Sequence, residues 1–286
     1  MIREASPAHS GEPGTLFVVS TPIGNMGDFS FRAVEVLGSV ALILAEDTRH
    51  SRPLLNSYGI RAPVASYHEH NEAKTTPALV ARLQSGGDIA LITDAGTPLV
   101  SDPGQRLVRA AIEAGIRVVP IPGASAVLAA LVASGLDAQR YTFFGFLPRK
   151  GRERASALDE IASSPNTAVM YEGPARVAAT LSELAQRAPG RMACVARELT
   201  KQFEEFRRGT VEALAAYYRE TAPRGEVVLL VAGAPPTVVD EELLAREAVA
   251  LRRTGLSARD VAAQLVQRGM ARNAAYRIAR STETDD

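Results

Sequence analysis

The chain has 286 residues, a formal net charge of zero from 32 basic and 32 acidic side chains, and 46% hydrophobic residues. That length allows two domains with real cores, and the charge balance excludes a globally basic nucleic-acid binder, so any polyanion site must be a local patch. The single cysteine, Cys194, rules out a disulfide within the chain and sits in an apolar run, as a buried small hydrophobe does.

The first dozen residues, MIREASPAHSGE, are polar, lack the apolar core of a signal peptide and read as part of a disordered lead-in over residues 1–14. From Thr15 strands and helices alternate. TLFVVS (15–20) is a strand, followed by the loop Thr21-Pro22-Ile23-Gly24-Asn25; Phe31–Val40 is a helix N-capped by Ser30. Ala41–Ala45 is the next strand, ending in Glu46-Asp47-Thr48-Arg49. A short helical stretch leads to the strand Val64–Tyr67 and the turn His68-Glu69-His70-Asn71, then to the helix Thr76–Gln84. The stretch DIALITDAGTPLVSDPG (88–104) is the centre of this half: a continuous apolar strand, as buried parallel strands are, breaking into a glycine-bearing acidic loop and a second turn, Ser101-Asp102-Pro103-Gly104. Helix Gln105–Ala114 and strand Arg117–Ile121 follow, with Pro122-Gly123-Ala124-Ser125 behind them. Alternation of this kind predicts a parallel sheet with right-handed crossovers. Its polar loops all follow strands on the carboxyl side, the ligand-binding edge of open α/β sheets, so TPIGN, AEDTR, YHEHN, DAGTP and PGAS are expected to line one cleft.

Ala124–Ser134 is an apolar helix expected to be buried and stopped by Gly135. Then come an aromatic strand, Tyr141–Phe146; the basic segment LPRKGRER (147–154); helix Ala155–Ser163; strand Thr167–Tyr171; helix Arg176–Arg187; and strand Met192–Arg197. Segment Glu204–Gly209, helix Thr210–Arg219 and strand Glu226–Ala232 complete this half. The stretch after the Cys194 strand suggests a hairpin, so this second sheet is expected to be mixed. The expected α/β domains run 15–122 and 123–233, and Ala234-Pro235-Pro236 reads as a linker. The tail, 240–286, is helical: Glu241–Thr254, Ala258–Arg268 with Ser257 as N-cap, and Arg272–Arg280. Seven arginines against Asp260 between Leu251 and Arg280 suit either a nucleic-acid element or a docking bundle with solvated arginines.

Familiar phosphate motifs are absent: Gly24-x-x-Gly27 is not a dinucleotide fingerprint, and Lys150 precedes Gly151 instead of following a glycine loop. His68 and His70 flank Glu69 without further ligands at metal spacing, so no metal is expected. Asp47 and Arg49 suit an ion pair or a charged pair at the cleft.

Taken together, TPIGNMGDFSFRAVEVL, AEDTRHSRPLL, SYHEHNE, LITDAGTPLVSDPG, PIPGASA, GFLPRKGRER, YEGPARV and VARELTKQFEEFRRGTV, in this order, closely resemble the ribosomal RNA small subunit methyltransferase I family of the tetrapyrrole-methylase superfamily. The resemblance spans roughly residues 15 to 233. It implies a homodimer of two-domain α/β subunits, S-adenosylmethionine as methyl donor, 2′-O-methylation of a cytidine in the decoding region of 16S rRNA, the small ribosomal subunit as partner, and a cytoplasmic location. Carried over by residue, donor contacts fall on Pro22, Ile23, Gly24, Asp94, Gly96, Thr97, Pro122, Gly123, Ser125, Ala126, Tyr171 and the backbone near Ala232. Two blocks depart from the family's pattern: Gly-Ala-Ser stands where Gly-Pro-Ser is frequent, and MYEGP replaces the YESP type.

Activating a ribose hydroxyl needs a proton acceptor or charge stabilisation; the candidates are Asp47, His68 and Glu69, with Arg49 as electrostatic helper. Arg149, Lys150, Arg152 and Arg154 are the expected phosphate contacts, the tail arginines second. Two other functions fit parts of the pattern: a tetrapyrrole-type small-molecule methyltransferase, which would not need these basic segments, and a non-catalytic RNA-binding assembly factor.

Overall fold

A computed structural model describes residues 12–235 and 241–281. Residues 1–11 of the expected lead-in lie outside the described residues, while Gly14 already donates its N–H to the Leu83 carbonyl. The described residues up to Ala234 form one compact unit; those from Pro235 onward form another.

The first sheet contains β1 (Thr15–Val19), β2 (Leu42–Ala45), β3 (Val64–Ser66), β4 (Ile89–Leu91) and β5 (Arg117–Ile121), all parallel, in the order β3-β2-β4-β1-β5. The connecting helices are α1 (Phe31–Ser39), α2 (Thr48–Ser57), α3 (Glu72–Gln84) and α4 (Gln105–Glu113). Ser30 caps α1 through its hydroxyl, which accepts the Ala33 N–H. β4 lies at the centre with every residue buried, which is why its sequence does not alternate. The ladder is shorter than the expected strand: it ends at Leu91, although Ile92 still donates to Leu44.

The second sheet has β6 (Tyr141–Phe146), β7 (Thr167–Glu172), β8 (Met192–Arg197), β9 (Glu205–Thr210) and β10 (Val227–Val231), in the order β6-β7-β10-β8-β9. β6 and β7 are parallel; β10 is antiparallel to β7 and β8, and β8–β9 is the expected antiparallel hairpin. Helices α5 (Ala126–Ser134), α6 (Gly151–Ser163), α7 (Val177–Arg187) and α8 (Val211–Glu220) cover it. The apolar sequence of α5 predicts burial, but only one of its faces has a sheet to pack on. Val127, Ala130 and Leu131 are buried against Val169, Cys194 and Leu230, whereas Leu128 and Val132 are 50% and 76% exposed.

The tail forms α9 (Glu241–Arg253), α10 (Ala258–Gln267) and α11 (Arg272–Ser281) around its own core of Leu244, Ala248, Val261, Leu265, Met270 and Ala275. Ser257 caps α10 as expected. Among the described residues no helix is long and apolar enough to cross a membrane.

Candidate active site

The loops after β1, β4 and β5 meet at the carboxyl edge of the first sheet. Thr21 and Gly96 exchange backbone hydrogen bonds of 2.8 and 3.1 Å, tying the first loop to the fourth. The Ser20 and Thr97 hydroxyls lie 2.9 Å apart, and Thr97 donates to the Ala124 carbonyl at 3.2 Å, which fastens the fifth loop. Gly96 has φ +85°, a left-handed conformation that glycine adopts without a Cβ penalty, so glycine permits this turn of the chain.

Against this edge the second sheet brings the end of β7, the Glu198–Lys201 turn and the start of β10, enclosing a cavity of about 350 Å³. The volume is that of a small-molecule site. Of the sequence-predicted contacts, Ile23, Asp94, Gly96, Thr97, Ser125, Ala126 and Tyr171 line it. Pro22, Gly24, Pro122 and Gly123 stand beside them in the chain without lining the wall; Gly24 is covered by the Lys201 stem, and Gly123 packs on Ser20. Ala232 is a correction. Its N–H donates to Met192 and its carbonyl accepts Arg191, at the far end of β10. Because β10 runs antiparallel to β7, its amino end, Gly225–Val228, meets the cavity instead.

Sequence reasoning also missed Thr93, Asp102, Phe146, Glu172 and Leu199 in the wall. Asp102 carried a signal, since its acidic turn directly follows the central loop. Burial pushes its carboxyl up to about 6, and the charges of Glu46 and Asp94 add to the shift. Burial likewise raises the Tyr171 phenol to about 12, followed by the charges of Asp102 and Glu226. Glu172 is fully buried but compensated: its oxygens accept the Gly173 N–H at 2.8 Å, the Thr180 hydroxyl at 2.6 Å and the Arg176 guanidinium at 2.5 Å.

The loops after β2 and β3 do not line the cavity, because those strands lie on the side of the sheet away from β1 and β5. Asp47 caps α2, and its carboxylate takes the Arg49 side chain at 2.8 and 3.1 Å. These hydrogen bonds from Arg49 hold Asp47 well below the usual carboxylate range, which makes it a poor proton acceptor. His68 packs edge-on against His70, ring centres 6.0 Å apart, and Glu69 is exposed. Among the described residues no group of three or more His, Cys, Asp or Glu side chains is arranged to hold a metal.

The four basic-loop residues separate. Arg149, Lys150 and Arg152 are exposed at the start of α6, but Arg154 is buried and bound to Glu183, Thr180 and the Pro148 carbonyl, out of reach of a phosphate. In the tail, Arg268 pairs with Glu247 and Arg252 donates to the Leu256 carbonyl. Arg272, Asn273, Tyr276, Arg277 and Arg280 instead border an open depression along α11.

A family model described as Tetrapyrrole (Corrin/Porphyrin) Methylases matches residues 15–215. Proteins named ribosomal RNA small subunit methyltransferase I are similar over most of the chain. One from Synechocystis sp. is 46% identical over 95% of this chain and 99% of its own length. The chain belongs to the ribosomal RNA small subunit methyltransferase I family. Another relative of that name, from Mesorhizobium japonicum, is 49% identical over 83% of each chain. Among solved structures, diphthine synthase matches with a TM-score of 0.59 at 15% identity, covering 76% of this chain and 89% of that one. Uroporphyrin-III-C-methyltransferase from Thermus thermophilus matches at 0.52 and 20% identity, covering 77% and 92%. At such identities these two show the shared fold alone.

Proposed function

We propose that the protein transfers the methyl group of S-adenosylmethionine to the ribose 2′-oxygen of a cytidine in the decoding region of 16S rRNA, within the small ribosomal subunit, in the cytoplasm. The observation that carries this reading is the cavity at the carboxyl edge of the first sheet, in a chain whose relatives are named for small-subunit rRNA. The wall fits the donor. Carboxylates of Asp94 and Glu226 suit a cation, Ile23, Leu199, Phe146 and Val228 offer apolar surface, and Gly96 lets backbone approach closely. The donor supplies an electrophilic methyl group on a sulfonium. The residues around it then have mainly to position the acceptor in line with the methyl–sulfur bond.

Arg149, Lys150 and Arg152 serve as phosphate contacts, while Arg49, His68 and Glu69 form the outer rim met by the RNA. The exposed pair Leu128 and Val132 on α5 suits burial against a second copy, in keeping with a homodimer.

Transfer from labelled donor to isolated 30S subunits, naked 16S rRNA and a porphyrinogen tests the reading. Label recovered as 2′-O-methylcytidine supports it; label on the porphyrinogen alone overturns it. Calorimetry on Asp94→Ala should show donor affinity lowered by about 10- to 100-fold, the value of a hydrogen bond to a charged group; unchanged affinity in a folded variant removes Asp94 from the site. Replacing Arg149, Lys150 and Arg152 together with Ala should leave the melting temperature nearly unchanged, since exposed charges contribute little. RNA affinity should fall, and the salt slope of binding should flatten by about 2 as counterion release is lost.

A further inference from the structure

Four carboxyl groups border the cavity: Asp94, Asp102, Glu172 and Glu226. Three are committed elsewhere. Asp94 accepts the Asp47 N–H at 3.2 Å, Glu172 is held by Arg176, Thr180 and the Gly173 N–H, and Glu226 takes the Lys201 ammonium at 3.1 Å. Asp102 alone has neither a cation nor an N–H donor among the described residues. Its neighbour is the buried hydroxyl of Thr93, which donates to Glu46 Oε2 at 3.1 Å. A hydroxyl has one proton. While that proton faces Glu46, the Thr93 oxygen offers Asp102 only lone pairs, which favour a protonated Asp102; when it turns to Asp102 it favours the carboxylate. The side chain is therefore placed to change protonation state without breaking a salt bridge.

The backbone is shaped to aim it. Leu99 and Ser101 have φ of 74° and 70°, and Gly104 has φ of 129° with Leu91 where a Cβ would stand. Left-handed conformations at non-glycine residues cost free energy and persist where the surroundings hold them, as at active sites. Here they fold the loop back so that Asp102 borders the cavity.

We propose that Asp102 is the group that takes the proton from the acceptor hydroxyl, with Thr93 and Glu46 as positioning residues behind it. This rests on the 2′-O-methylation reading above. In the step, the hydroxyl proton passes to an Asp102 carboxyl oxygen while the acceptor oxygen's lone pair forms the bond to the methyl carbon. The carbon–sulfur bond breaks with its electron pair going to sulfur, leaving a neutral thioether, and Asp102 afterwards releases the proton to water. A carboxyl raised to about 6 is largely ionised at neutral pH yet more basic than an ordinary carboxylate, as a general base should be. The groups facing it are Thr93 and Asp94 beyond β4, Glu46 beyond β2 and the neutral phenol of Tyr171 on β7.

The test is single-turnover methyl transfer to 30S subunits between about pH 5 and 8, with donor binding measured by calorimetry on the same proteins. Asp102→Asn should lower the rate about 100-fold or more, leave the donor Kd within about threefold, and abolish a rate increase with pH centred near 6 in the wild type. Thr93→Val should keep most of the rate but displace that increase. A donor Kd that worsens in step with the Asp102→Asn rate makes Asp102 a donor ligand and overturns the proposal, as does a variant of undiminished rate. Should Asp102→Asn fail to fold, a wild-type rate flat across the same pH range overturns it equally. A wild type that labels no cytidine 2′-oxygen overturns the reaction itself, whereas an active wild type with an equally active Asp102→Asn overturns only this residue's role.

Discussion

Replacing Arg154 with Ala should lower stability by about 1–3 kcal/mol, the cost of leaving buried hydrogen-bonding groups without their partner. The Arg154 side chain is 9% exposed, and its guanidinium binds Glu183 at 2.8 and 3.0 Å, Thr180 at 2.9 Å and the Pro148 carbonyl at 3.1 Å. It also lies 4.0 Å from the fully buried Glu172, so its loss removes one of two cations beside that carboxylate. Thr180 links the two groups, donating to Glu172 while accepting from Arg154. Lys cannot replace it, because an ammonium lacks the planar fork that reaches these partners at once. Thermal melting should show a drop of several degrees for Arg154→Ala and none for Arg152→Ala, two residues earlier and exposed. Equal melting temperatures would mean that the network contributes no net stability. The consequence for function is indirect: the network anchors the first turn of α6, which carries Arg152 and directly follows Arg149 and Lys150.

Deleting the residues after Pro236 should spare donor binding and weaken RNA engagement. The tail has its own hydrophobic core and forms a separate compact unit, so its loss leaves the cavity's lining intact. Its basic surface is narrower than a count of arginines suggests, because Arg268 and Arg252 serve contacts within the tail. Arg253 and Arg259 are exposed on α9 and α10, and the densest group lies on one face of α11, where Arg272, Arg277 and Arg280 flank Asn273 and Tyr276, with the Arg272 guanidinium 6.0 Å from the Tyr276 ring. Exposed arginines beside an aromatic ring suit phosphates and unstacked bases of single-stranded RNA. Substituting those three arginines with Ala should reproduce most of the effect of deletion. The RNA concentration for half-maximal rate should rise roughly tenfold, and the salt slope should fall by about 2. Full activity at low RNA concentration in either variant would remove the tail from RNA binding. A truncation that loses thermal stability or its oligomeric state, read by melting and light scattering, would assign the tail to docking instead.

The alternation of strand and helix, the parallel sense of the first sheet and the loops at its carboxyl edge were legible in the residues themselves. Continuous apolar runs such as Ile89–Leu91 belong to strands covered on both faces, and parallel strands necessarily present their carboxyl ends together. Six of the twelve expected donor contacts line the cavity for that reason, five on loops following β1, β4 and β5 and one, Ala126, at the start of α5; a seventh, Tyr171, lines it from near the end of β7 in the second sheet. Local signals failed where a partner from elsewhere in the chain decides the outcome. Strand direction in a mixed sheet is set by pairing, so nothing in the sequence of β10 reveals that Val227 and Val228, and not Ala232, face the cavity. Arg152 and Arg154 read alike as hydrophilic loop residues, yet α6 begins at Gly151, and two residues on a helix are about 200° apart. One therefore faces solvent, while the other meets Glu183 and Thr180 on α7. The apolar sequence of α5 likewise could not say which face a sheet would cover, since an amphipathic pattern is needed to mark a side and α5 has none. Residue types and spacing determined the edge at which chemistry can occur; strand pairing and helix packing decided which carboxyl groups border it and which charges remain in solvent.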